Sequence, residues 1–449
     1  MNFIPNSSIK AQMLKEIGLD CIDQLFEDIP KHIRVKELKL DSNRSQCETE
    51  KHMKRLAEKN ISSQKNLCFL GGGIKPHYIP AVVKSVLSRA EFLTAYTPYQ
   101  SEASQGFLKA MFEYQSMISD LTGMDIANCS LYDSSTGLGE AALMATRIKK
   151  RYTFLIPQNI SWEKKSVLHN YTKGVNITIK EIPYDEKTGM MNISSLEKLL
   201  SDDVSGVYLE NPNGFGIFEE DVERVRDLTQ KTNSLMIVGV DPISLGIIRS
   251  PGEYDADIVI GEGRALGNQM DFGGSGLGLL SCKKEYLRQI PGRLIGLTQD
   301  EDGKQAFCMA MQTREQHIRR AKATSNICTN EGLCALAAVT YLSWLGGNGL
   351  EKLARDNLKN GIYLSKKLNE LDVLSKRFSG SHFNECVMHY DKEVKKLNDS
   401  LLKHNIYGGL SLERWHPSLK HDILFGVTEM HSTKDIDHLI TVLTEVEHV

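Results

Sequence analysis

LMIVGVDP, Leu235–Pro242, is the stretch on which the fold turns. Six apolar or small residues, Leu235–Val240, make a run of strand length, and Pro242 denies the sheet a donor just beyond it, so the strand stops with Asp241 at its carboxyl end. Outward from this run, short β-branched or aromatic segments recur at Tyr152–Ile156, Val175–Ile182, Val204–Leu209, Ile258–Ile260 and Leu277–Leu280, with helical stretches between them. Strands alternating with helices predict an α/β fold, a mainly parallel sheet covered on both faces. Further out, an amphipathic segment running to about Val35 places Ile17, Leu19, Ile22, Leu25 and Phe26 on one helical face until Pro30 stops it. The charge-rich Lys36–Lys65 reads as a solvated helix. Helical periodicity resumes from Arg293 to Trp344, and beyond Gly349 helices mix with strands at Glu385–His389 and Ile423–Thr428. The expected division is an N-terminal helical arm, 1–65, a large α/β domain, 66–345, and a small C-terminal α+β domain, 346–449.

Composition narrows the function classes. The 449 residues are 41% apolar and 25% charged, ordinary globular usage with length for a large core. Lys plus Arg number 54 against 57 Asp plus Glu, a net charge of −3 that gives no footprint for nucleic acid or an anionic membrane. The apolar stretch Cys334–Leu345 falls short of the roughly 20 residues that span hydrocarbon. Met1–Lys10 has Asn6, Ser7 and Ser8 where a signal peptide carries its apolar core, and nine scattered cysteines form no C-x-x-C pair. These features predict a cytoplasmic protein with reduced thiols and neither zinc nor a disulfide framework. The histidines form no H-E-x-x-H, so no metal site is expected.

Ligands of open α/β sheets bind outside the carboxyl ends of the strands. Asp241 stands there, as does the polar loop Glu210–Gly214. In enzymes that use pyridoxal phosphate an aspartate keeps the pyridine nitrogen protonated; alternatively Asp241 caps the turn that follows. YDSSTGLGE, Tyr132–Glu140, opens a helix with Ser134, Ser135 and Thr136 beside its first N–H groups, either a phosphate cradle or an N-cap. Two glycine-rich stretches, Gly71–Pro76 and Gly273–Gly278, match neither the P-loop nor the dinucleotide spacing and read as tight turns. An absence weighs most: a pyridoxal-phosphate site needs a lysine some tens of residues after the aspartate, and none lies between Asp241 and Cys282, the next being Lys283. Thr94–Gly106, TAYTPYQSEASQG, crowds aromatic and polar residues around Pro98, which biases Thr97 to an extended conformation. Such a loop is either a ligand or subunit seam or a rigid stretch of surface.

FLGGGIKPHYIPAVVKSVLSRAEFLTAYTPYQSEASQG (Phe69–Gly106), FEYQSMISDLTGMDIANCSLYDSSTGLGEA (Phe112–Ala141), VDPISLG (Val240–Gly246), Pro251–Tyr254, Gly261–Gly263, Pro291–Arg293 and Thr313–Asn330 together resemble the glycine cleavage system P-protein family, in its split two-subunit form. The resemblance spans essentially the whole chain. It implies an aminotransferase-like fold of type I and an α2β2 complex with a second, lysine-bearing subunit that binds pyridoxal phosphate covalently. It also implies a reaction in which glycine loses CO₂ and its aminomethyl group passes to the lipoyl arm of the H-protein. By that resemblance Tyr96, Thr97, Tyr99, Gln100, Glu102 and Gln105 contribute to an inter-subunit active-site cleft, while Ser134, Ser135, Thr136 and Asp241 belong to a disused cofactor pocket. The chain departs from the family pattern at Ser101, where a proline is expected, and at Arg264-Ala265, where Gln-Pro is expected. A purely structural or regulatory pseudoenzyme, and a self-sufficient enzyme using Lys283, are the other readings.

Overall fold

The structure, a computed structural model, describes residues 7–35, 37–40, 42–63 and 65–447; part of the signal-peptide reading (Met1–Asn6), Lys36 and four further positions lie outside the described residues. Residues 1–61 and 62–449 form two compact units. The first holds α1 (Lys10–Glu16) and α2 (Gln46–Ala57). The single amphipathic helix expected before Pro30 does not form: Gly18 takes φ +75°, which ends α1, and extended Cys21 starts a separate short turn at Ile22–Phe26. Ile17, Ile22, Leu25 and Phe26 are consequently exposed. The charged stretch does form a helix, α2, capped by the Ser45 and Glu48 side chains in reciprocal hydrogen bonds.

In the second unit β1 (Leu67–Cys68), α3 (Ala81–Leu87) and α4 (Ala90–Leu93) precede α5 (Gln105–Thr122). A seven-stranded sheet follows, built from β2 (Ile126–Ala127), β3 (Thr153–Pro157), β4 (Thr178–Ile182), β5 (Val204–Asn211), β6 (Leu235–Val240), β7 (Ile258–Glu262) and β8 (Gly278–Cys282). Its order is β2-β8-β7-β6-β5-β3-β4; β3 to β7 run parallel and β8 is antiparallel to its neighbours. Helices α6 (Ser134–Lys149) and α7 (Trp162–Thr172) cover one face, α8 (Ile193–Leu199) and α9 (Val222–Lys231) the other. The side-chain period of two explains the unbroken apolar runs: Leu235 and Ile237 enter the core beneath α6, while Met236, Val238 and Val240 enter the core beneath α9.

One expected helical region is instead a hairpin. β9 (Leu294–Gln299) and β10 (Gln305–Ala310) pair antiparallel around a turn in which Gly303 takes φ +77°, so the helix expected from Arg293 is delayed. After α10 (Gln316–Arg319), α11 (Gly332–Leu368) begins, and Gly346 breaks its helical dihedrals. Among the described residues α11 alone has the length and composition of a membrane span. Its Ala335, Leu336, Ala337, Ala338 and Tyr341 nevertheless lie in a core shared with α5. The C-terminal part carries β11 (Leu374–Lys376), β12 (Glu385–Tyr390), α12 (Val394–Lys403), β13 (Ile406–Tyr407), β14 (Leu410–Ser411), β15 (Asp422–Gly426) and α13 (Thr433–Glu447). β11-β12-β15-β14 form an antiparallel sheet backed by α12 and α13, and β13 pairs with β1.

Candidate functional site

β5, β6 and β7 end together at the carboxyl edge of the sheet, and a cavity of about 320 Å³ opens there. Its walls come from the start of α6 (Asp133, Ser134, Ser135), the ends of β5 to β7 (Glu210, Asp241, Glu262), the Gly72–Lys75 loop and Phe383–Glu385 with Trp415. Glu210 near the end of β5, Asp241 just past β6 and Glu262 at the end of β7 bring carboxylates to the cavity wall, where partners offset the cost of their desolvation. Gly239 is required by close approach: a Cβ there would meet the Tyr208 hydroxyl at 2.2 Å.

Most of the charge in this cavity is already paired within the chain. Lys164 reaches Glu210, which also accepts the Tyr208 hydroxyl at 2.8 Å. Lys75 lies 3.3 Å from Glu385, whose Oε1 accepts the N–H groups of Gly72 at 2.6 Å and Gly73 at 3.1 Å. Those glycines take φ of +100° and +88°, as the tight-turn reading requires, and their N–H groups form a small anion nest filled by Glu385. His77 holds Glu429 at 3.0 Å. Burial pushes the Glu429 carboxyl up, but hydrogen bonds from His77, the Tyr78 N–H and Asn357 outweigh it and hold its pKa at about 2.

Asp241 lines the cavity, and its Oδ1 accepts the Ile243 N–H at 2.9 Å, so the carboxylate caps the turn that follows β6. Ser134 and Ser135 line the cavity as well. Thr136 is not among the lining residues; its N–H is capped by Asp133 at 2.7 Å and its side chain meets Tyr171. Lys283 is at the far end of β8, paired with Asp255 at 2.7 Å and Asp257 at 2.9 Å, and does not line the cavity.

The Thr94–Gly106 loop is a separate place. None of Tyr96, Thr97, Tyr99, Gln100, Glu102 and Gln105 lines the cavity. Tyr96 and Tyr99 are 77% and 55% exposed, Gln100 and Glu102 are exposed, and Thr97 and Gln105 are half-buried around the buried Pro98. The loop is nevertheless anchored. Gln105 grips the Phe307 backbone of β10, its Nε2 donating to the carbonyl at 2.8 Å and its Oε1 accepting the N–H at 2.9 Å. The buried Arg293 guanidinium lies 5.8 Å from the Tyr99 ring centroid and is held by Thr329 Oγ1 and the Cys328 carbonyl, both at 2.8 Å. The His317 ring meets Tyr99 edge-on, with centroids 5.7 Å apart. An exposed aromatic side chain on a fixed backbone suits contact with something outside the chain.

The glycine cleavage system P-protein family model matches residues 1–443. This chain belongs to that family. It is 45% identical over 447 residues to the probable glycine dehydrogenase (decarboxylating) subunit 1 of Thermococcus onnurineus, covering 99% of each chain. It is also similar to the crystal structure of a glycine decarboxylase (P-protein) of the glycine cleavage system in inhibitor-bound form, with a TM-score of 0.90, 35% identity and coverage of 99% of this chain and 100% of that one. The fold alone is shared with a Lactobacillus brevis glutamate decarboxylase, at a TM-score of 0.69, 13% identity and coverage of 94% and 97%. The fold is that of the type I pyridoxal-phosphate-dependent enzymes.

The family and fold imply pyridoxal phosphate, and the residues of this chain's own cavity do not fit it. The Ser134 N–H, where a phosphate would be cradled, already donates to Glu262 Oε2 at 3.2 Å. The rim from β7 to β8 offers no lysine, and Lys75 and Lys164, which do enter the cavity, are each engaged by a carboxylate. These two lysines, with Glu262 and Glu385, are the site residues that sequence reasoning missed. Lys75 sits beside the Gly71–Gly73 run, but its partner is more than 300 residues away.

Proposed function

We propose that this chain is the lysine-less subunit of a two-subunit glycine decarboxylase of the glycine cleavage system. In this reading it assembles as α2β2, in the cytoplasm, with a subunit that carries pyridoxal phosphate covalently, and the complex serves a lipoylated H-protein. Family membership supports the activity; the pocket whose amines and rim are engaged within the chain supports the assignment of the cofactor to the partner. The nine free cysteines suit a reducing compartment.

Pyridoxal phosphate, bound by the partner, supplies the electron sink for loss of CO₂. The present chain's part is positional. Tyr96, Thr97, Tyr99, Gln100 and Glu102 form one wall of the inter-subunit cleft, with Gln105 and Arg293 fixing the loop from beneath. Tyrosine hydroxyls on that wall orient the glycine carboxylate or the incoming lipoyl arm by hydrogen bonds, and their rings exclude water from the reacting atoms.

Two observations carry this reading: the aromatic loop is anchored yet solvent-facing, and Asp241–Cys282, which forms the β7–β8 rim of the separate cavity, contains no lysine. Its test is glycine-dependent CO₂ release and visible absorbance of the chain alone and after mixing with its lysine-bearing partner. A colourless, inert chain that gains activity only on mixing is the expected result. A chain that is coloured and active by itself overturns the proposal.

A further inference from the structure

The chain's own cavity retains backbone N–H groups that converge as they would on an anion, and it fills them from within. Glu262, the last residue of β7, uses both carboxylate oxygens: Oε2 accepts the Ser134 N–H at the start of α6, at 3.2 Å, and Oε1 accepts the N–H groups of Leu277 at 3.0 Å and Arg264 at 3.1 Å. Asp133 caps the same helix start at Thr136 N, 2.7 Å. Three backbone donors from three separate segments thus close on one side chain at the edge of a cavity large enough for a small ligand. Glu385, which also lines the cavity, accepts the N–H groups of Gly72 and Gly73 in the same way.

We propose that Glu262 is a built-in anion standing where a ligand phosphate would dock, so that this pocket rejects phosphorylated cofactors by charge and not by want of space. The proposal rests on the reading that this chain is not the cofactor-bearing subunit, and it names what enforces that division. A phosphate monoester entering beside Glu262 would set a second anion within a few ångströms of the first and find the Ser134 donor already engaged. With the carboxylate charge gone, the same donors and the positive end of α6 become a site for a phosphate monoester.

The test uses the full-length chain, as wild type and as Glu262→Gln and Glu262→Ala. Pyridoxine 5′-phosphate, inorganic phosphate and pyridoxine are titrated while the intrinsic tryptophan fluorescence, to which the cavity-lining Trp415 contributes, is followed. Pyridoxine 5′-phosphate has no aldehyde and cannot attach to surface lysines. Both variants are expected to bind it at least about tenfold more tightly than wild type, inorganic phosphate should displace it, and pyridoxine should not bind. Should Glu262→Ala be weakened by loss of its three acceptor contacts, phosphate should raise its melting midpoint while leaving that of wild type unchanged. Glu262→Gln keeps an acceptor for Leu277 and Arg264 and provides the second reading of the same effect. Folded variants that bind the probe no better than wild type overturn the role of Glu262 and leave the lysine-less assignment standing. Wild type that binds the probe as tightly as the variants overturns the role of Glu262 and removes the observation that assigns the cofactor to the partner.

Discussion

The sheet-edge cavity and the Tyr96–Gln105 loop invert what each looks like in isolation. The cavity has the position and volume of an active site, yet Lys75, Lys164, Glu210, Glu262 and Glu385 have found partners within the chain. The loop looks like surface, yet Tyr96 and Tyr99 project from a backbone gripped by Gln105 and underlain by Arg293. Polar groups that are mutually satisfied contribute rigidity; fixed groups that face outward retain their capacity to bind. In a two-subunit enzyme the second arrangement is the one that can add to a neighbour's chemistry.

The largest effect should separate the two regions. In the reconstituted complex, Tyr99→Ala is expected to lower kcat/KM for glycine by about 100-fold or more, the scale of a lost positioning contact, with assembly intact by gel filtration. Asp241→Asn, in the cavity, should stay within about twofold. Equal losses at both positions, or a loss only at Asp241, would reverse the comparison.

A second prediction concerns the rigidity of the cavity wall. Glu219 is buried and accepts Asn159 Nδ2 at 3.1 Å, Asn213 Nδ2 at 2.9 Å and the Met191 N–H at 2.9 Å, holding in place the Asn213 that lines the cavity. Burial pushes its pKa up to about 7, against the lowering effect of these donors. Because the folded value lies above the unfolded one, the carboxyl's contribution is fully present below about pH 4.5. It is lost as pH rises toward 7, a difference of about 3 kcal/mol. Glu219→Gln keeps an oxygen for the same donors without ionising, so its stability relative to wild type should climb between pH 5 and 7 and then level off. Denaturant unfolding of the two proteins across that range checks it; a flat difference would show that Glu219 does not titrate there.

What the sequence makes legible follows from range. Leu235–Val240 reads as a buried strand because its signal is contiguous, and Asp241 falls at the strand end for the same reason. The missing lysine is likewise a property of one stretch, Asp241–Cys282. The β9–β10 hairpin was hidden because Leu294–Gln299 and Gln305–Ala310 are too short for period alone to tell strand from helix. The filling of the cavity was hidden because it depends on pairs such as Ser134 with Glu262 and Gly72 with Glu385, which only the folded chain brings together. For the loop, sequence showed its composition but not its anchor, since Gln105 meets Phe307 from 202 residues away.

That anchor offers the smallest of the expected effects and the sharpest view of the loop. Gln105→Ala removes two hydrogen bonds to the Phe307 backbone at a half-buried place, leaving a carbonyl and an N–H to find water. A cost of about 1–2 kcal/mol is expected, felt locally at the loop and β10. Gln105→Glu preserves the oxygen that accepts the Phe307 N–H but sets the other oxygen against the Phe307 carbonyl, so it should restore at most part of that loss. If rigidity of the loop is what the partner's cleft uses, Gln105→Ala should raise KM for glycine more than it lowers kcat, and amide exchange should quicken at Thr97–Ser104 before it does so in the central sheet. A variant that loses stability to this extent while keeping wild-type KM would show that the clip serves the hairpin alone, and that Tyr96 and Tyr99 reach their positions only on assembly.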